Sequence, residues 1–169
     1  MSTILAIDPG SKESGYVVWN VGQQAPEEMG HIHNITLLDF CRQWPENEPM
    51  AIEQIRGYGI VAGDDTFDTC QWVGRFEEAH KRNGGIVYML PRKDIKRHLC
   101  GNTTTNDKYI RQALIDRLGE PGTKKNPGTL YGIAGHLWAA LAVAVVCSDR
   151  MSEALKLASV CREEEETFL

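Results

Sequence analysis

The sequence predicts an α/β protein with a five-stranded sheet. Short apolar segments that favour strands alternate with longer segments that favour helices. Two of the apolar segments end in a carboxylate, and a charge at the end of a buried strand is costly unless a metal ion or a hydrogen-bond donor pairs with it. The length of 169 residues suffices for one domain with a substantial core. We expect that domain over residues 1–160, followed by an acidic tail over residues 161–169.

The composition is that of an ordinary globular protein in water. Hydrophobic residues make up 42% of the chain and charged residues 24%. No apolar run reaches the roughly 18 residues that a membrane span needs, and no signal peptide is evident at the N-terminus. The five cysteines are scattered without CxxC spacing, as in proteins of a reducing compartment. We therefore expect a cytoplasmic protein without a membrane partner.

Charge is distributed unevenly along the chain. The formal net charge is −5, but residues 151–169 hold five acids and two bases, so the remainder carries only −2. Within that remainder, basic side chains cluster at two places: Arg92, Lys93, Lys96 and Arg97, and then Lys124 and Lys125. An acidic protein with local basic stripes can still bind DNA. A solvated surface is the alternative interpretation of these bases.

The first strand-ending carboxylate lies in a predicted N-terminal hairpin. Ile4–Ile7 is apolar throughout, and Tyr16–Trp19 predicts the second strand. Asp8 directly follows the first strand and precedes Pro9 and Gly10. It is either a metal ligand or the cap of the turn that these two residues begin.

The second strand-ending carboxylate is Glu53, at the end of the apolar segment Pro49–Glu53. The carboxyl ends of neighbouring parallel strands meet at one edge of a sheet, so Glu53 should lie close to Asp8. Two adjacent carboxylates repel each other, and a divalent cation resolves that repulsion. The alternative is that Glu53 is merely the first polar residue after a strand. Between these strands, alternation predicts a third strand over Gly30–Leu38, and a short helix ends before Pro45.

The remainder of the chain predicts four helices and one strand. A glycine-rich loop over Gln54–Thr66 carries Tyr58 at its middle. The elements that follow are a helix over 67–83, a strand over 86–90, a basic helix from Pro91 to about 100, a helix from about 106 to 118, and a last helix over 133–158. His136 falls in the first turn of the last helix. It is either a core histidine whose hydrogen bonds are satisfied within the protein or a metal ligand.

Four stretches, in the same order along the chain, resemble the motifs of RuvC-type Holliday-junction resolvases. Ile4–Gly15 resembles a first motif, in which a strand is followed by Asp-Pro-Gly. Ala51–Gln54 resembles a second motif that ends in Glu-Gln, and His136–Ala144 resembles a C-terminal helix motif. The stretch Pro91–Leu118 resembles a motif with a proline, two lysines and a glycine, here Pro91, Lys96, Gly101 and Lys108. This resemblance implies a ribonuclease-H-like fold, with a mixed five-stranded sheet flanked by helices.

The resemblance also implies metal-assisted hydrolysis of a phosphodiester that leaves 5′-phosphate ends. Asp8, Glu53 and His136 would hold two Mg²⁺ ions, with Mn²⁺ as the alternative because it accepts imidazole more readily. Lys108, with Lys96, would offset charge on the scissile phosphate. The chain departs from the motif at Ala139, where the family carries an aspartate. That departure is either tolerated, or weakens or disables the site.

The partner that the resemblance implies is branched DNA bound by a homodimer. Phosphate contacts would come from the basic residues Arg92, Lys93, Arg97, Lys124 and Lys125. Tyr58 would stack on a base, or else pack within its own loop. We expect the dimer to form through the helix over 67–83. Small divergent proteins of this kind suggest a phage source, in which case the protein would act in the host cytoplasm.

Three other functions remain open from the sequence. The first is a broader endonuclease that also cuts flaps and forks. The second is a junction-binding protein with an impaired site, which Ala139 favours. The third is a nucleotide hydrolase of the actin and sugar-kinase type, which shares an Asp-x-Gly hairpin but needs a second such domain around the nucleotide.

Overall fold

The structure is a computed structural model that describes residues 2–57, 59 and 61–167. These residues form five strands and five helices. The strands are β1 (Thr3–Asp8), β2 (Glu13–Asn20), β3 (Ala25–His33), β4 (Met50–Gln54) and β5 (Val87–Pro91). The helices are α1 (Asn34–Gln43), α2 (Asp64–Lys81), α3 (Arg92–Cys100), α4 (Asp107–Leu118) and α5 (Leu137–Thr167).

The strands form a mixed sheet in the order β3-β2-β1-β4-β5. β1, β2 and β3 are antiparallel neighbours, whereas β4 is parallel to β1 and β5 is parallel to β4. The predicted α/β class with a mixed five-stranded sheet is therefore confirmed. Because β1, β4 and β5 run in one direction, their carboxyl ends lie at the same edge.

Helices cover both faces of the sheet. Successive side chains of a strand point to opposite faces, and β1 shows this alternation clearly. Ile4 and Ala6 belong to a core cluster with α5, whereas Leu5 and Ile7 belong to a second cluster with α1 and α2. Residues 140–148 of α5 are buried. This alanine-rich part of α5 therefore packs closely on the sheet.

The predicted third strand over Gly30–Leu38 is wrong in its boundaries. β3 begins earlier, at Ala25, and the chain turns into α1 at Asn34. The Asn34 side chain is fully buried, accepts a hydrogen bond from Ser14 and donates one to the Gly10 carbonyl. These distant contacts end the strand, and the buried pair Leu37 and Cys41 then follows a helical spacing.

The predicted start of the last helix is also wrong. α5 begins at Leu137, so His136 precedes the helix instead of lying in its first turn. Gly132 and Gly135 adopt positive φ angles of 89° and 51°, which no right-handed helix accommodates. His136 directly precedes the helix, and its carbonyl accepts hydrogen bonds from the backbone N–H groups of Ala139 and Ala140.

Two further boundaries concern the helices. α2 begins at Asp64, three residues before the predicted start. α5 continues to Thr167, through most of the segment predicted as an acidic tail. The division into a domain and a tail stays a prediction. Within the part of the chain that the structure describes, no helix is both long and apolar enough to span a bilayer.

Candidate active site

The carboxylates of Asp8 and Glu53 lie side by side at one edge of the sheet. Ile7 pairs with Ile52 in the parallel ladder of β1 and β4, so the residues that follow them occupy equivalent positions. Both side chains are largely buried, with 16% of Asp8 and 11% of Glu53 exposed. This is the arrangement that the strand pattern predicts.

His136 approaches this pair from the segment that leads into α5. Its Nδ1 lies 3.3 Å from Oδ2 of Asp8. The imidazole is stacked on His31 of β3, with ring centroids 5.3 Å apart. A close backbone contact makes this placement possible, since a Cβ atom at Gly15 would lie only 3.3 Å from the His136 carbonyl oxygen. The absence of a side chain on β2 at that point thus lets His136 reach Asp8.

Two further charged residues complete the site. Nη1 of Arg92 lies 2.8 Å from Oε2 of Glu53, and Nη2 lies 2.7 Å from Oδ1 of Asp107. The sequence predicts a phosphate contact for Arg92 and no role for Asp107. One signal was available for Arg92: it follows the end of β5, the parallel neighbour of β4, at the same edge of the sheet. No comparable signal pointed to Asp107.

The charged residues of the site and His136 line one pocket of about 550 Å³. Its polar walls are Asp8, Glu53, Arg92, Asp107 and His136, and Ala139 lines it from α5. A second pocket of similar size lies across Asp8, against the turn between β1 and β2. The two pockets share Asp8 and His136, which therefore stand on a ridge between them.

Burial dominates the electrostatics of the two central carboxyls. It raises the pKa of Glu53 to about 7, with a contribution from the neighbouring Asp8, although the Arg92 guanidinium acts in the opposite direction. Burial likewise raises the pKa of Asp8, despite the opposing effects of His136 and Arg92. Desolvation of these carboxylates thus exceeds the compensation that the protein's own cations supply. A bound cation would supply the missing compensation.

The donors fit a divalent metal ion in kind. Mg²⁺ prefers carboxylate oxygens, and Mn²⁺ also accepts imidazole. Asp8, Glu53 and Asp107 supply the oxygens, and His136 supplies the imidazole. Among the residues that the structure describes, however, no three Asp, Glu, His or Cys side chains are arranged to hold one ion. Arg92 is the cation that the carboxylates of Glu53 and Asp107 contact.

The remaining predicted site residues that the structure describes do not line this pocket. Lys108 is exposed at the start of α4, with its Nζ 5.4 Å from the centre of the Tyr109 ring. Arg97 lies 3.5 Å from Asp94 on the exposed side of α3. The others are Lys93 and Lys96 on α3, and Lys124 and Lys125 in the exposed segment before α5. Tyr58 lies outside the described residues.

Comparison with known proteins relates this fold to the RuvC resolvases. The chain superposes on Thermus thermophilus RuvC with a TM-score of 0.64 and 19% identity, over 89% of this chain and 96% of that one. For T. thermophilus RuvC in complex with a Holliday junction substrate, the TM-score is 0.60 and the identity is 18%, over 85% of this chain and 91% of that one. For the yeast mitochondrial Holliday junction resolvase Ydc2, the TM-score is 0.65 and the identity is 14%, over 96% of this chain and 86% of that one. The chain therefore has the ribonuclease-H-like fold of these proteins, which confirms the fold that the resemblance of its motifs implies.

The sequence alone matches no protein-family model, and no curated protein is significantly similar to it. The structural neighbours share less than a fifth of their sequence with the chain. They therefore establish its fold alone. The phage source stays a hypothesis.

Proposed function

We propose that this protein is a metal-dependent endonuclease that resolves four-way DNA junctions by paired phosphodiester hydrolysis, leaving 5′-phosphate ends. The observation that carries the proposal is the pair of buried carboxylates, Asp8 and Glu53, at the strand ends of a resolvase fold. His136 faces the same pair. The solved neighbours include a RuvC bound to a Holliday junction and a mitochondrial Holliday junction resolvase, which supports the choice of substrate.

In this proposal, Asp8, Glu53 and His136 hold two Mg²⁺ or Mn²⁺ ions. Bound divalent ions would supply Lewis acidity toward the phosphodiester and would acidify water. Asp8 contributes an oxygen that is shielded from solvent, and the 3.3 Å contact with His136 fixes the orientation of that carboxylate. The raised pKa values of both carboxyls are consistent with a site that is completed by a cation.

Basic residues near the pocket would position the DNA. Lys108 lies one residue beyond Asp107, where its exposed ammonium can turn from the Tyr109 ring toward a phosphate. Lys96 and the bases of α3 and of the segment before α5 would contact the backbone without reading sequence. Tyr58 remains a proposed stacking residue.

A homodimer would match the two-fold symmetry of a four-way junction. α2 offers a surface for it, because Phe67 is 60% exposed and lies in an apolar groove with Val61, which is 95% exposed. Apolar side chains of this size at one place are typical of a contact with another protein. We propose that a second copy of the chain covers them.

Two other functions remain compatible with the site. A junction-binding protein with an impaired centre is favoured by Ala139 and by the contact of Arg92 with Glu53. A broader endonuclease that cuts flaps and forks would use the same residues on a less selective surface. Cleavage of four-way, three-way and flap substrates in parallel separates it from a resolvase.

The proposal is tested by substitution of the two central carboxylates. We expect the parent chain to nick a labelled four-way junction in Mg²⁺ or Mn²⁺, and a chelator to stop the reaction. Asp8→Asn and Glu53→Gln should each abolish cleavage, whereas the surface controls Asp39→Asn and Glu46→Gln should not. Binding of the junction without cleavage by the parent would favour the impaired-site alternative.

A further inference from the structure

The pocket lacks a carboxylate on α5. Ala139 lines it one turn beyond His136, where a carboxylate would reach the space in front of Asp8 and Glu53. A methyl group supplies neither charge nor a ligand atom. On this side, the pocket therefore holds one ligand fewer than the motif that it resembles.

Asp107 brings a carboxylate into the same pocket from a different element. It is the first residue of α4 and lines the pocket together with Ala139. Its side chain is 74% exposed, and Nη2 of Arg92 holds one of its oxygens at 2.7 Å. Asp107 can therefore turn without disturbing the core.

A cationic group already lies between Asp107 and Glu53, namely the guanidinium of Arg92. A single guanidinium contacts Glu53 at 2.8 Å and Asp107 at 2.7 Å. In formal charge, Asp8, Glu53 and Asp107 carry three negative charges against the single positive charge of Arg92. The pocket therefore carries an excess of negative charge, which favours the binding of a further cation.

We propose that Asp107 is a metal ligand of this site, in place of the carboxylate that position 139 lacks. Arg92 contacts the oxygens of both Glu53 and Asp107, and an ion held by these oxygens would take the place of the guanidinium between them. This inference rests on the proposed function, because it concerns the metal site of that activity. It adds a ligand from α4 that the sequence motifs do not contain.

Binding of Mn²⁺ to the full chain without DNA tests this assignment. The free ion gives a strong electron paramagnetic resonance signal that is lost on binding, so a titration yields the affinity independently of cleavage. We expect Asp107→Asn to weaken Mn²⁺ binding at least about tenfold. The matched control is Asp116→Asn, an exposed aspartate about two and a half turns further along the same helix, which should leave the affinity unchanged.

A second variant separates lost ligation from misfolding. The double variant Asp107→Asn with Ala139→Asp should recover most of the affinity, because it returns a carboxylate to the pocket from α5. Equal affinities for Asp107→Asn and Asp116→Asn would overturn the assignment of Asp107, even where the parent binds Mn²⁺ and cuts junctions. Weak binding in both Asp107→Asn and the double variant would also overturn it. A parent chain that neither binds Mn²⁺ nor cuts would overturn the proposed function itself.

Discussion

Glu53 and Arg92 show, at the scale of single residues, how the site balances charge. Burial disfavours the carboxylate of Glu53, and the guanidinium stabilises it. The same guanidinium is itself only 23% exposed and depends on Glu53 and Asp107 for its own compensation. Removal of either partner leaves a partly buried charge, which costs more than an exposed ion pair contributes.

We expect Arg92→Gln to be less stable than the parent in the absence of divalent ions. The loss should be about 1–2 kcal/mol, since two ion pairs break and the Glu53 carboxylate stays buried. Urea denaturation measures the difference, and added Mg²⁺ should reduce it. The control is Arg97→Gln, which removes only an exposed pair. Equal stability of the two variants would contradict the role given to Arg92.

At the scale of elements, the crossing of β2 with the segment before α5 positions His136. Gly15 pairs with Asp8 in the sheet and also faces the His136 backbone. The contact is tight enough that a Cβ atom at position 15 would require a shift of a few tenths of an ångström. The position of His136 near Asp8 therefore depends on a residue of another strand.

Gly15→Ala should displace His136 by a few tenths of an ångström. We expect a stability loss of about 1 kcal/mol and slower junction cleavage, because the added methyl group meets the His136 carbonyl oxygen. Gly57→Ala is the control for stability, since a Cβ atom there meets nothing within 4 Å. Unfolding curves and initial cleavage rates check the prediction. Full activity of Gly15→Ala would show that the placement of His136 is not critical.

At the same scale, a cluster of ion pairs around Asp149 joins α3, α4 and α5. Asp149 of α5 accepts two hydrogen bonds of 2.6 Å from Arg117 of α4, and its Oδ2 lies 2.8 Å from His98 of α3. Burial acts to raise the pKa of Asp149, but the hydrogen bonds from Arg117 and His98 outweigh it, so the pKa is below the ordinary value of 3.8. The charged form of Asp149 therefore stabilises the fold.

The stabilisation by Asp149 should depend on pH. A carboxyl whose pKa is lower in the folded state contributes fully above the unfolded value of 3.8, and the contribution is lost as the pH falls through the folded value. Asp149→Asn should cost about 1–2 kcal/mol at pH 7, and this deficit should shrink below pH 4. Urea denaturation at pH 7 and pH 3 measures it against Asp39→Asn. A deficit independent of pH would contradict the assignment.

At the scale of the whole molecule, the proposed dimer relates two active sites to the two halves of a junction. The surface for it is the exposed apolar part of α2 around Phe67. The core clusters lie on the two faces of the sheet and do not include Phe67. Dimerisation and folding should therefore be separable.

Phe67→Glu should yield a folded monomer. The charge prevents burial of this position against a second copy, while the exposed side chain contributes little to the core. Light scattering should give twice the mass of one chain for the parent and the mass of one chain for the variant. Leu155→Glu is the control, because Leu155 is 68% exposed on α5. A parent that is monomeric at micromolar concentration would contradict the dimer.

The sequence predicted the parts of the molecule that follow from local pattern. Apolar strands that end in Asp8 and Glu53 could be placed together because parallel strands align their carboxyl ends. The end of β3 could not be predicted, since the buried hydrogen bonds of Asn34 to distant residues decide it. The place of Asp107 in the pocket could not be predicted, because it depends on how α4 packs against the rest of the protein. The periodicity of the helix sequence carries no information on that packing.

The hydrolytic role of Asp8 and Glu53 is tested most directly by mapping the cuts in an immobile four-way junction, with each strand labelled in turn. We expect nicks at symmetric positions on two opposite strands, with 5′-phosphate ends, in the presence of Mg²⁺ or Mn²⁺. Asp8→Asn should remove both nicks together. A junction that the parent binds but leaves intact in either metal would contradict the claim that Asp8 and Glu53 form a hydrolytic centre.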